Sequence, residues 1–307
     1  MNGVIFAGAY QGGSLPKDGA DLLEYIAPFY ATIRHTNLKA IIAHDFIPSS
    51  FVEKYSTPQI IFVHHPIPDS YSVYFKRYLA LRSLIPSYDY THWFLCDIKD
   101  ALITRDPTEL FASKEYPLVV GEESKTMEQN EWFAKVFSVE PYLSLFSQIP
   151  HSIFPKTCGV WGGRSDVVYQ TLDEMVRIYD DQFLNMKTIF GIDMLLFNWV
   201  IWNKMWTKTS AFAMQNYYDL PITSTDLKAR NNECPRWISN QSEENTGFCK
   251  HTYRPNVIVE EFYDRHMKET TSKIPEWEEA VNITRKRWEY RWFHKERGMP
   301  MPYWLGE

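Results

Sequence analysis

Two carboxylates follow an apolar run in the first third of the chain. The run covers residues 93–96, and Asp97 and Asp100 come directly after it. Neighbouring acidic groups repel each other unless a cation lies between them, and hard divalent ions prefer oxygen ligands. The pattern therefore favours a metal site for a phosphate-bearing ligand. The alternative is that both aspartates are solvated loop residues that cap the next turn.

Three apolar, β-rich runs precede these aspartates, at residues 4–9, 39–44 and 59–64. Residues 18–35 carry apolar side chains at helical spacing between the first two runs, and a short helical segment separates the second from the third. This β-α-β-α-β order predicts right-handed crossovers and a parallel sheet. Ligands of such sheets bind outside the carboxyl ends of the strands, which is where Asp97 is expected.

Two kinds of side chain near this edge are candidates for binding the ligand. Tyr10 follows the first run and precedes a glycine pair. It could stack on a base, or the glycines could make only a turn. Arg77 and Arg82 lie in the helix predicted over residues 70–86, and each could reach a diphosphate or stay a solvated surface residue.

The composition is that of an ordinary globular protein with a moderate negative charge. The 307 residues are 45% hydrophobic and 23% charged, with a formal net charge of −6. Affinity for nucleic-acid backbones requires an excess of Lys and Arg, so a nucleic-acid binder is disfavoured. The N-terminal stretch lacks the basic and long apolar segments of a signal peptide or membrane span, and we expect a cytoplasmic location.

The order of the motifs resembles that of the GT-A glycosyltransferases, which use nucleotide-sugar donors. The resemblance rests on Asp97-Ile-Lys-Asp100 followed by Asp106-Pro107, then on Thr157-Cys-Gly-Val-Trp-Gly-Gly163, and then on Asp193 with Asn198. It covers roughly residues 3 to 266. It implies an α/β fold in which a GT-A-like (Rossmann-like), mainly parallel sheet is flanked by helices over residues 1–270.

The resemblance implies a metal site. The acidic motif of that family holds Mn²⁺ or Mg²⁺ against the donor diphosphate, which would be the role of Asp97 and Asp100. Many relatives add a late histidine, and the matching position here is Glu261. Glu261 could still bind a hard cation. His251 and His266 are alternatives, and loss of metal dependence is another.

The resemblance also implies which residues line the donor and acceptor pocket. The helix-opening Asp193 would contact the sugar or act as the base, with Glu122 or Glu123 as alternative bases. The candidates for donor binding are Ala9, Tyr10, Arg77, Lys99, Thr157, Gly159 and Gly162.

The last stretch, residues 271–307, is predicted to be an amphipathic helical extension. It begins with Pro275 and acidic residues, and it ends with basic residues before Gly298. These are signals of helix start and stop. Its tryptophans at helical spacing would pack on their own domain or, because the segment is basic, contact a partner or a membrane surface peripherally.

Together these features predict a divalent-metal-assisted glycosyltransferase. It would transfer a hexosyl or pentosyl group from a UDP- or GDP-sugar to a glycan, a glycoconjugate or another hydroxyl acceptor. One alternative is a non-catalytic relative that binds sugar nucleotides or glycans, which the missing late histidine favours. Another is a sugar nucleotidyltransferase, although the loop after the first strand lacks the usual glycine-rich, basic pattern.

Overall fold

The computed structural model is organised around one seven-stranded sheet. It describes residues 2–10, 22, 26, 29–30, 33, 38–98, 101–103, 117–122, 126–184, 186, 191–213 and 248–250. The strands are β1 Gly3–Ala9, β2 Ala40–His44, β3 Ile60–His64, β4 His92–Cys96, β5 Ala101–Ile103, β6 Leu118–Glu122, β7 Lys156–Arg164, β8 Thr209–Ala213 and β9 Phe248–Lys250. The main sheet has the order β3-β2-β1-β4-β7-β6-β8, and β5 and β9 form a separate pair.

Only β7 runs against the other strands of this sheet. The pairs β1–β2, β2–β3, β1–β4 and β6–β8 are parallel, whereas β7 is antiparallel to both β4 and β6. The predicted α/β fold with a mainly parallel sheet is therefore confirmed at the level of fold class. The sequence does not predict the reversal of β7, because its glycine-rich segment carries a weak strand signal. We call the edge where β1 to β4 end the carboxyl edge.

Six helices with defined bounds connect the strands. They are α1 Ser49–Tyr55, α2 Val73–Leu84, α3 Glu131–Phe137, α4 Leu143–Phe146, α5 Ser165–Gln182 and α6 Ile192–Val200. A 3-10 turn, Ile85–Ser87, follows α2, and α6 continues into a π-helical turn, Ile201–Met205, and a 3-10 turn, Trp206–Lys208. No helix among the described residues is long and apolar enough to cross a membrane.

The predicted apolar helix face between β1 and β2 is confirmed at the positions that the structure describes. These positions are helical and almost completely buried: Leu22, Ile26, Phe29, Tyr30 and Ile33.

Aromatic contacts fix α2, α5 and α6 in the core. The ring of Phe75 on α2 stacks on that of Tyr179 on α5, with centroids 4.3 Å apart. Trp161 on β7 packs on Phe197 of α6, with centroids 4.9 Å apart. Full burial of a large apolar side chain contributes about 1.5–3 kcal/mol. These contacts therefore hold firmly the helix ends that carry the candidate site.

The glycines of β7 allow it to lie closely between two strands. A Cβ atom on Gly162 would lie 2.5 Å from the Trp93 carbonyl oxygen, and one on Gly163 would lie 2.3 Å from the Pro117 oxygen. Any larger residue would clash with these backbone atoms. Close packing against neighbouring strands thus explains both glycines.

The C-terminal extension, residues 271–307, lies outside the described residues. Its helix and its peripheral membrane contact stay predictions.

Candidate active site at the carboxyl edge

The centre of the site is Arg77 on α2, which contacts two carboxylates from different elements. Its Nη1 donates to Oδ1 of Asp97, directly after β4. Its Nη2 donates to Oδ2 of Asp193, in the first turn of α6, across 3.1 Å. The three side chains are 19%, 17% and 10% exposed. The predicted metal ligand and the predicted base are therefore joined by one guanidinium.

The surrounding charges keep this guanidinium ionised. Burial alone would lower the pKa of Arg77, but Asp97 and Asp193 outweigh it and raise that pKa well above its ordinary value. Two carboxylates and one guanidinium leave a formal charge of −1 on these three side chains. Such residual negative charge favours the binding of a cation.

Tyr78 and Cys158 complete the contacts of Asp193. The Tyr78 hydroxyl accepts from Arg77 Nη2 at 2.8 Å, donates to the Cys158 carbonyl at 2.9 Å and lies 3.4 Å from Asp193 Oδ2. Burial raises the pKa of Tyr78, so the phenol stays neutral and supplies its single proton as a donor. The Cys158 thiol lies 3.5 Å from the same oxygen.

The two oxygens of Asp193 differ in their surroundings. All hydrogen-bond contacts of its carboxylate with the described residues go to Oδ2. Oδ2 is therefore held in place, whereas Oδ1 accepts from no described residue. A carboxylate held by one oxygen can use the other to accept a substrate proton.

The backbone around the site is held by bonds between β4, β7 and α6. The Asp97 amide donates to the Gly159 carbonyl at 2.8 Å. The buried side chain of Asn198 accepts from the Lys156 amide at 2.6 Å and donates to the Lys156 carbonyl at 2.8 Å. A single amide side chain thus fixes the start of β7 against the helix that carries Asp193.

Gly191, at the N-cap of α6, has a φ of 73°. A Cβ there would lie 3.0 Å from Trp132. Because L-residues rarely adopt this backbone conformation, glycine is required at the turn that delivers Asp193.

A second basic residue of α2 holds the end of β2. Lys76 is 4% exposed, and its Nζ lies 2.8 Å from Asp69 and 3.7 Å from Asp45. Tyr10 lies nearby after β1, and burial, followed by the charge of Asp45, raises its pKa. The carboxyl edge therefore carries two adjacent charged clusters, one around Lys76 and one around Arg77.

Two buried polar atoms at this edge have no hydrogen-bond partner among the described residues. They are Nε of Arg77 and the hydroxyl of Tyr10. Buried polar groups are nearly always hydrogen-bonded. An acceptor from a ligand or from the rest of the chain is therefore expected at both atoms.

The other predicted binding residues lie in several places. Ala9 ends β1, and Thr157 and Gly162 are buried in β7. The ring of Tyr10 packs in the core and is 4% exposed, so its faces are covered, and its hydroxyl is buried as well. Arg82 is not at the site, because its Nε pairs with Asp173 of α5 at 2.9 Å.

The structure describes Glu122 as the last residue of β6. The remaining candidates lie outside the described residues: Lys99, Asp100, Glu123, His251, Glu261 and His266. Their roles stay predictions.

Asp97 and the net negative charge suit a hard cation such as Mn²⁺ or Mg²⁺. The ligand set is incomplete, since the described part of the chain contains no group of three His, Cys, Asp or Glu side chains that could hold a metal ion. The other predicted ligands, Asp100 and Glu261, are among the residues not described.

Sequence reasoning missed Lys76, Tyr78 and Cys158. The local pattern predicts apolar packing for Tyr78 and an inert thiol for Cys158. The signal that could have found Tyr78 is its position next to Arg77, one turn of helix after Tyr74, on the face of α2 that faces the strand ends.

No known family matches the chain, and no curated protein is significantly similar to it. The fold and the site define an α/β protein with a charged cluster at the carboxyl edge of its sheet.

Proposed function

We propose that this protein is a glycosyltransferase that moves a sugar from a nucleotide-sugar donor, a UDP- or GDP-sugar, to a hydroxyl acceptor. The observation that carries the proposal is the Asp97–Arg77–Asp193 arrangement at the carboxyl edge. It supports the proposal because ligands of open α/β sheets bind there. The arrangement also places a fixed positive charge beside two carboxylates. A transfer from a diphosphate needs a positive charge for the leaving group and a carboxylate that accepts the proton.

In the proposed reaction the bond between the sugar C1 and the diphosphate oxygen breaks, and the nucleoside diphosphate leaves with the electron pair. A new bond forms between C1 and the acceptor oxygen, and the acceptor loses its proton. Asp193 takes that proton on Oδ1, because Oδ2 is held by Arg77. This route corresponds to an inverting transfer.

Arg77 acts mainly as a positioning residue. Its Nη atoms are engaged by Asp97, Asp193 and Tyr78, so it fixes the distance between the donor side and the acceptor side of the site. It also pairs its positive charge with both carboxylates.

A divalent ion, Mn²⁺ or Mg²⁺, is part of the proposal, with Asp97, Asp100 and Glu261 as its ligands. When bound, it would offset the charge of the departing diphosphate.

The test is a thermal-shift panel of nucleotide sugars with and without Mn²⁺, followed by donor hydrolysis in the absence of an acceptor. Wild-type protein should be stabilised by one donor in the presence of Mn²⁺ and should hydrolyse it slowly. Asp97→Asn should lose both effects. Asp173→Asn is the matched control, since Asp173 also pairs with an arginine of α2 but lies away from the site.

Three outcomes would contradict the proposal. Donor binding without hydrolysis or transfer would indicate a non-catalytic sugar-nucleotide-binding protein. Pyrophosphate release from a nucleoside triphosphate and a sugar phosphate would indicate a nucleotidyltransferase. An absence of any donor-dependent shift would remove the donor site itself.

A further inference from the structure

Three helix ends meet beside Asp193. The Ser72 amide, at the start of α2, donates to the hydroxyl of Tyr179 near the end of α5, at 2.8 Å. The Tyr71 hydroxyl donates to Asp180 at 2.7 Å. The first turn of α6 reaches the same place through the contact of Asp193 with Arg77. The entrance to the candidate site is therefore formed by the start of α2, the end of α5 and the start of α6.

Tyr74 stands at this entrance. It precedes Arg77 and Tyr78 by three and four residues on α2, so the three side chains share one face of the helix. Arg77 and Tyr78 both reach Oδ2 of Asp193, at 3.1 and 3.4 Å. Burial, followed by the negative charge of Asp193, raises the pKa of Tyr74.

Tyr74 is exposed, unlike the other aromatic residues of α2. It is 38% exposed, whereas Phe75 and Tyr78 are completely buried. The entrance thus combines an exposed aromatic ring with a carboxylate.

We infer that Tyr74 is a specificity-determining residue that receives the acceptor, and that the acceptor is a saccharide whose ring packs on this tyrosine while one hydroxyl reaches Oδ1 of Asp193. The inference rests on the proposed function. Its chemical basis is that one face of a sugar ring carries C–H groups that pack on an aromatic ring, while its edge carries hydroxyls. A flat aromatic residue next to a proton acceptor matches both parts.

The experiment compares Tyr74→Ala, Tyr74→Phe and Phe154→Ala with the wild type. Phe154 is the matched control because it is an aromatic residue with the same degree of exposure, 37%, and no contact with Asp193 among the described residues. The donor is the nucleotide sugar that gives the largest thermal shift. The acceptor probes are α- and β-p-nitrophenyl glycosides of glucose, galactose, mannose, xylose and N-acetylglucosamine, with a serine-rich peptide and dodecanol as the non-saccharide probes.

The expected result is transfer to at least one glycoside. Tyr74→Ala should raise the KM for that glycoside about tenfold or more, because one stacking contact is lost. Tyr74→Phe should stay within about twofold of the wild type, because the ring is kept. Donor hydrolysis without an acceptor should be the same in Phe154→Ala and the wild type.

Two results would overturn the inference while the proposed function stands. One is a Tyr74→Ala variant that transfers as well as Phe154→Ala. The other is donor hydrolysis with no transfer to any glycoside, or with transfer only to the peptide or to dodecanol. A wild type that neither binds nor hydrolyses a donor would instead remove the proposed function, and this inference with it.

Discussion

Arg77 and Asp193 lie 116 positions apart in the chain, yet Nη2 of the arginine donates to Oδ2 of the aspartate across 3.1 Å. The same guanidinium also pairs with Asp97. One side chain of α2 therefore holds a residue that follows β4 and a residue that opens α6. The integrity of the candidate site depends on this helix as much as on the acidic residues.

Replacement of Arg77 by Met should damage both stability and activity. It removes the cationic partner of Asp97 and Asp193, two partly buried carboxylates, which we expect to cost roughly 3 kcal/mol. Donor hydrolysis should fall by about 100-fold or more, since the fixed charge is lost. Urea unfolding and hydrolysis assays measure the two effects.

The control for that variant is Arg82→Gln on the same helix. Arg82 also pairs with an aspartate, but its side chain is 36% exposed and that of Asp173 is 49% exposed. A change within about 0.5 kcal/mol is expected for such an exposed pair. Equal losses in the two variants would refute the central role of Arg77.

Replacement of Asp193 by Asn tests the proposed base. The amide has nearly the same shape and can keep an oxygen toward Arg77, so the fold should survive. Transfer to an acceptor should fall by about 100- to 10,000-fold, because the amide cannot take a proton. Transfer rates of the Asp193→Asn variant and the wild type are compared under single-turnover conditions, and rates that agree within about threefold would exclude Asp193 as the base.

Gly8 sets the distance between β1 and α2. A Cβ at this position would lie 2.6 Å from Cβ of Arg77 and 3.3 Å from its Cα. Gly8→Ala should therefore push α2 outward and destabilise the protein by roughly 1–3 kcal/mol. Displacement of Arg77 should also lower donor hydrolysis, even at temperatures where the variant is fully folded. Gly8→Val should be worse in both assays, and a Val variant with wild-type thermal stability would disprove the close contact.

The buried His44 should make stability depend on pH. Burial, assisted by the charge of His64, lowers the pKa of His44 from 6.5 to about 4. Between pH 6.5 and 4 the unfolded chain binds more protons than the folded one, so stability is lost as the pH falls through this window. The contribution is on the order of 3 kcal/mol.

The comparison for His44 is a His44→Asn variant, whose amide oxygen can still accept from the Ile47 amide, as Nδ1 does now at 3.2 Å. Unfolding free energies of both proteins are measured from about pH 7 to about pH 4, which spans the ordinary and the lowered pKa of the imidazole. Their difference should change across this range, and parallel curves would show that His44 does not titrate as a buried group.

Local patterns predict much of the fold. The apolar runs at residues 4–9, 39–44 and 59–64 form strands within one residue of the expected bounds. The helix predicted over residues 70–86 is likewise observed as α2. Such patterns report the burial of each segment, which is a local property.

The contacts of the site are not local, and this limits what sequence can predict. Asp97, Arg77 and Asp193 each carry a separate predicted role, but no local pattern pairs Arg77 with both acids. The reversed direction of β7 escapes prediction for a related reason, because strand direction depends on the connections and not on the residues of the strand. The sequence predicts that Asp97, Arg77 and Asp193 belong to one ligand site, but not that they contact each other.

The adjacency of Lys76 and Arg77 has a mechanical consequence. These consecutive residues bind acidic partners beside β2 and beside β4, respectively. A rotation of α2 about its axis would therefore weaken the contacts of both charged clusters at the same time. The helix therefore couples the two charged clusters, although no side chain among the described residues bridges them directly.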